Sequence, residues 1–141
     1  MKRLAGAGVV ALLLAGIPSV LTLTKSDAAS GADVKTVAIG IRFSRFSTSS
    51  ITVKKGTTLR FVVTNDDPIL HELIVGPPDV QQRHEAGTEP RHPPRPGEIT
   101  IDPKSTNSTT YTFTDVGSIE FACHLPGHHA YGMSGFVQIV A

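Results

Sequence analysis

The residues with the greatest chemical capacity in this chain stand together near its end. The run Cys123-His124-Leu125-Pro126-Gly127-His128-His129-Ala130-Tyr131-Gly132-Met133 carries a thiol, imidazoles and a thioether on one short segment. Soft sulfur donors beside imidazole suit copper. Two His and one Cys in a plane, with a long weak bond to Met, form a ligand set for one-electron transfer. The run supplies Cys123, one His and Met133, so a second His has to come from elsewhere. His71 is the natural choice, because it follows the turn formers Asn65-Asp66-Asp67-Pro68 and opens a strand whose end can lie against the loop.

Taken singly, each residue has an ordinary structural reading. A lone Cys is more often a small buried hydrophobe, a lone Met core filler, and a lone His a hydrogen-bonded core residue. The combination at loop spacing, directly after a strand, outweighs those readings. Cys123 is also the only cysteine and has no partner for a bridge within the chain. In an oxidising compartment such a thiol must be buried, paired with another chain or tied up by a metal.

The elements that must position these residues follow from hydrophobic period. Val37, Ile39 and Ile41 alternate with Thr36, Ala38 and Gly40 in a half-buried strand. Ile51 and Val53 begin a second, closed by the turn Lys54-Lys55-Gly56, and Leu59, Phe61 and Val63 mark a third. His71 to Val75 forms a fourth. Gly76 to Gly97 then carries six prolines and few apolar residues, and reads as an excursion between strands with at most one helical turn near Gln81–Ala86. Strands resume at Ile99 and Ile101. A polar turn over Lys104–Ser108 precedes a strand at Thr110–Thr114. Ile119, Phe121 and Cys123 share one face of the next strand, and Phe136–Val140 is the last. About eight short strands without a convincing amphipathic helix predict an all-β, antiparallel sandwich or barrel.

Length and charge narrow the rest. The chain has 141 residues, 13 of them Gly and 10 Pro, which disfavours a helical bundle. Met1-Lys2-Arg3 followed by the uncharged stretch Leu4–Thr24 reads as an export signal over residues 1–28, with 29–33 as linker. Gly16, Pro18 and Ser19 favour a cleaved signal peptide over an uncleaved membrane anchor of similar length. Either form places the body, residues 34–141, outside the cytoplasm, periplasmic or secreted. Beyond the signal, 10 basic residues face 11 acidic ones, so no basic block remains to hold nucleic acid.

With these residues in view, the chain resembles the cupredoxins, the small blue-copper proteins that include plastocyanin, azurin and rusticyanin. The resemblance covers about Val34 to Val140. It rests on the strand run ending at Gly56, the Asn65…His71 segment, and Gly117-Ser118-Ile119-Glu120-Phe121-Ala122-Cys123 leading into the loop. The Cys-x4-His-x4-Met spacing is similar to the rusticyanin and auracyanin branch. The resemblance implies a Greek-key β-sandwich holding one copper ion, Cu(I) or Cu(II), through His71, Cys123 and His128, with Met133 axial. It also implies that Leu125, Pro126, Gly127, Ala130 and Tyr131 surround His128 as an apolar docking face for redox proteins such as cytochromes or oxidases. Where plastocyanin and azurin have Asn after the first His, this chain has Glu72. Choosing His128 over His129 depends on the family's spacing. His124 is expected on the opposite side of the strand end. His84 and His92, with Glu85 and Glu89, have donor types for zinc or copper(II), but read more simply as incidental histidines on a solvated loop.

The leading expectation is a monomeric mononuclear copper protein that carries single electrons. The alternative is an exported copper chaperone or storage protein on the same fold, although the only methionines are Met1 and Met133. An enzyme is not expected. No His-x-His pair, second bridging cysteine, nucleophile elbow or HExxH helix appears.

Overall fold

A computed structural model describes residues 34–87, 91 and 93–141. The expected export segment 1–28 and linker 29–33 lie outside the described residues, as do Glu89 and His92. Among the described residues the strands are β1 (Val34–Ile41), β2 (Ser50–Lys54), β3 (Thr58–Asn65), β4 (His71–Gly76), β5 (Glu98–Ile101), β6 (Thr106–Thr112), β7 (Gly117–Ala122) and β8 (Ser134–Val140), with one helix, α1 (Pro78–Ala86), between β4 and β5. They form two sheets, ordered β1-β3-β6 and β2-β8-β7-β4-β5. Between the sheets, the alternating apolar residues bury one core. Ile39, Ile41, Leu59, Phe61 and Val63 of the first sheet meet Leu73, Val75, Phe121, Val137 and Ile139 of the second. This is the expected all-β sandwich of eight strands.

Three local expectations are corrected. First, the sandwich is not purely antiparallel. β1 runs parallel to β3 and β2 parallel to β8, because the chain leaves the first sheet after Ile41 and enters the second at Ser50. Second, the seventh element in chain order, β6, begins at Thr106, within the expected polar turn. The hydroxyls of Thr106 and Thr112 face solvent and pair across the sheet, Thr58 with Thr112 at 2.9 Å and Thr64 with Thr106 at 3.0 Å. A strand with one wet face needs no apolar residue on that side.

Third, the Pro-rich excursion contains nine helical residues rather than a single turn. Pro78 stands in the first turn, where its missing N–H costs nothing, and Asp79 there favours the positive end of the helix dipole. The helix lies over β4 and β7, so β4 is buried on both faces: His71, Leu73 and Val75 turn to the core, and Glu72 and Ile74 lie on the opposite side. The buried contact of α1 is polar. Gln81, 6% exposed, puts its Nε2 on the backbone carbonyls of Ile74, Gly76 and Glu120 at 2.9–3.2 Å. A helix docked through an amide shows no apolar stripe in its sequence. At its far end, Glu98 of β5 accepts from Arg83 at 2.6 Å and meets His84 Nε2 at 3.0 Å. Among the described residues no helix is long and apolar enough to cross a membrane.

Candidate metal centre

The turn before β4 builds the first part of the site. Asn65, fully buried, donates its Nδ2 to the carbonyls of Ile69, Ile101 and Asp102, while its Oδ1 accepts the N–H of Asp67 at 2.9 Å. That aims the Asp67 carboxylate. Its two oxygens accept the N–H groups of Phe43 (2.8 Å) and Ser44 (2.7 Å), and Oδ2 lies 3.0 Å from His71 Nε2. Burial works to raise the Asp67 pKa, but the Ser44, Phe43 and His71 hydrogen bonds outweigh it and hold the carboxyl below its usual range. An ionised carboxylate only accepts, so His71 Nε2 carries the proton and Nδ1 presents its lone pair.

That lone pair faces the loop after β7. Cys123 closes the loop by donating its N–H to Met133 O at 3.1 Å, and Met133 N–H returns to His128 O at 3.0 Å. Gly127, at φ 84°, allows the tight turn that carries His128 back toward Cys123. Cys123 Sγ lies 3.2 Å from His128 Nδ1 and 4.0 Å from His71 Nδ1. The donor atoms of His71, Cys123 and His128 all fall within 4.8 Å of one another. His71, Cys123 and Met133 are fully buried, and His128 is half-buried.

Burial governs the site's protonation. Desolvation lowers the pKa of His71 and of His128, so both imidazoles are neutral, the form that ligates metals. Desolvation pushes the Cys123 thiol up to about 12, with the nearby Glu72 charge adding a smaller upward push and backbone hydrogen bonds opposing. Without a cation the sulfur is a thiol at neutral pH. Two neutral imidazoles aimed by their ring nitrogens at one buried sulfur fit a soft or borderline metal ion such as copper.

The structure thus gathers His71, Cys123 and His128 as the sequence suggested, and joins Met133 to them through its backbone. His124 and His129 turn away. His124 Nδ1 is 2.7 Å from Glu85 Oε2, and His129 Nε2 is 3.0 Å from Glu120 Oε1. Glu72 is buried and accepts the backbone N–H of His124 at 2.8 Å, tying β4 to the start of the metal loop. His84 does not sit on a solvated loop; it lies on α1 with its side chain 11% exposed against Glu98. Around His128, Pro126, Gly127, Ala130 and Tyr131 are exposed, Tyr131 to 76%, while Leu125 packs partly into the core. Sequence reasoning missed Asp67, which reads as one more turn former. Its position four residues before His71 was the available signal.

Comparison with known proteins agrees with this geometry. Residues 32–140 match the family described as copper binding proteins, plastocyanin/azurin family. Copper-resistant cuproprotein CopI of Rubrivivax gelatinosus is 35% identical over 99 residues, covering 67% of this chain and 59% of that protein. CopI of Pseudomonas aeruginosa is 27% identical over 127 residues, covering 67% of this chain and 70% of the relative. The chain therefore spans about three fifths to seven tenths of these two relatives. Among solved structures, reduced auracyanin of Roseiflexus castenholzii superposes with a TM-score of 0.63 at 20% identity, over 76% of this chain and 98% of that one, a likeness of fold. With the family matched over the whole sandwich and a Cys/His/His cluster at one end of it, the chain belongs to the plastocyanin/azurin family of copper-binding proteins, the cupredoxins.

Proposed function

We propose that this protein is an exported mononuclear type 1 copper protein that carries single electrons between redox partners, and not an enzyme. The observation that carries the reading is the prior locking of His71: Asp67 fixes its tautomer and direction, so the buried donors are set before any ion arrives. His71, Cys123 and His128 would hold the copper, with Met133 as the weak fourth ligand. Bound copper supplies a one-electron couple between Cu(I) and Cu(II). A rigid donor set suits that chemistry, because little has to move when the charge changes. The exposed rim of Pro126, Gly127, Ala130 and Tyr131 beside His128 offers an apolar face to a redox protein.

A second reading, copper handling in resistance, is supported by the name that the CopI relatives carry. One experiment separates them. Copper(II) is titrated into the protein, which is then reduced and reoxidised. An intense thiolate-to-copper band at one equivalent, bleached and restored with the metal retained throughout, is expected for a carrier; release of copper on reduction supports handling. Cys123→Ser should lose the band. A variant that stays intensely coloured would overturn the site assignment.

A further inference from the structure

On the opposite side of β7 from the Cys123 site, the structure gathers a second set of donors. Glu85 of α1 and His124 and His129 of the loop bring a carboxylate oxygen and two ring nitrogens within 4.8 Å of one another. They line an open cleft between α1 and the loop. We propose that this cluster is a second metal site, for a divalent ion of the copper(II) or zinc(II) class, separate from the cupredoxin centre.

The two imidazoles are held by protein oxygens on the side away from the cluster. Gln81 Nε2 faces three backbone carbonyls, so the amide nitrogen is the donor there and Oε1 must be the atom 2.6 Å from His124 Nε2. That oxygen accepts, which puts the His124 proton on Nε2. His124 Nδ1 is thereby turned to Glu85 Oε2, 2.7 Å away, from a side chain only 2% exposed. Unless Nδ1 is itself protonated, its lone pair against the carboxylate oxygen of the exposed Glu85 is repulsive without a cation between or beside them. His129 repeats the pattern: Nε2 lies 3.0 Å from Glu120 Oε1, an acceptor, and Nδ1 lies 3.7 Å from the same Glu85 oxygen. Each imidazole is therefore tied through Nε2 to a protein oxygen and turns Nδ1 to a common point, as His71 is tied to Asp67. Acceptors outside the ligands set the ligating nitrogens in both places. Two imidazoles, a carboxylate and an open side toward solvent match the donor types and number of a three-ligand zinc or copper(II) site.

The alternative occupant of the gap is a proton, making His124 an imidazolium paired with Glu85. Equilibrium dialysis against zinc of the full chain, already holding one equivalent of copper, decides between them. The expected result is one zinc bound per chain with the visible spectrum retained. Glu85→Gln at an exposed position and His129→Ala at a half-buried one should each weaken zinc binding at least tenfold while the first equivalent of copper still gives the unchanged visible band. The same dialysis of Cys123→Ser should still show one zinc, which distinguishes failure of the cupredoxin reading from failure of this one. The proposal is overturned if the copper-loaded chain binds no zinc, or if both variants bind it as tightly as the wild type.

Discussion

At the scale of the residue, Asp67 shows how one carboxylate serves fold and site together. It caps the N–H groups of Phe43 and Ser44, whose φ angles of 54° and 52° are strained for residues with side chains, and it orients His71. Asp67→Asn can still accept one N–H but can also offer a donor to His71 Nε2, removing the preference that points Nδ1 at Cys123. Copper affinity is expected to fall about 10–100-fold, measured by competition with a chelator of known affinity. Unchanged affinity with an unchanged spectrum would mean that core packing alone orients the ring. The donors themselves were legible in the sequence because Cys, His and Met declare their chemistry by type. Asp67 was not, since an aspartate in a turn has a sufficient local explanation in backbone hydrogen bonding.

Elements were legible wherever one face is dry and the other wet. The alternation in β1, β3 and β8 identified those strands from the residues alone. It failed for β6, whose polar start pairs through threonine hydroxyls, and for α1, which docks through Gln81. Gln81→Ala tests that docking. It strips the donor from three carbonyls and the acceptor from His124, and should cost about 1–3 kcal/mol of stability, read from urea unfolding with an unchanged m-value. A negligible loss would show that Pro78 and the Arg83, His84 and Glu98 contacts hold the helix without it. Glu98 is held below the ordinary carboxylate range because its His84 and Arg83 partners outweigh the upward push of burial.

For the whole molecule, the sandwich depends on close approach of its parts as well as on apolar burial. A Cβ on Gly135 would strike the Phe121 ring and come within 2.7 Å of the Ser49 carbonyl. Gly135 and Phe121 are paired across β8 and β7, and Ser49 leads into β2. Gly135→Ala should therefore destabilise by about 1–3 kcal/mol, seen as a lower thermal midpoint; a midpoint equal to the wild type would show that β2 can move aside at no cost. What the sequence by itself determined was the donor inventory, the Cys-x4-His-x4-Met loop and the strands that carry them. Those are local quantities, set by residue type and by the short chain between residues. Only the tertiary structure decided that His71 meets a sulfur 52 residues away, that β1 and β2 pair in parallel with β3 and β8, and that His124 and His129 turn toward α1 instead of the core. Those outcomes depend on which sheet faces pack together and on which acceptor each ring nitrogen finds, and neither is written in local spacing.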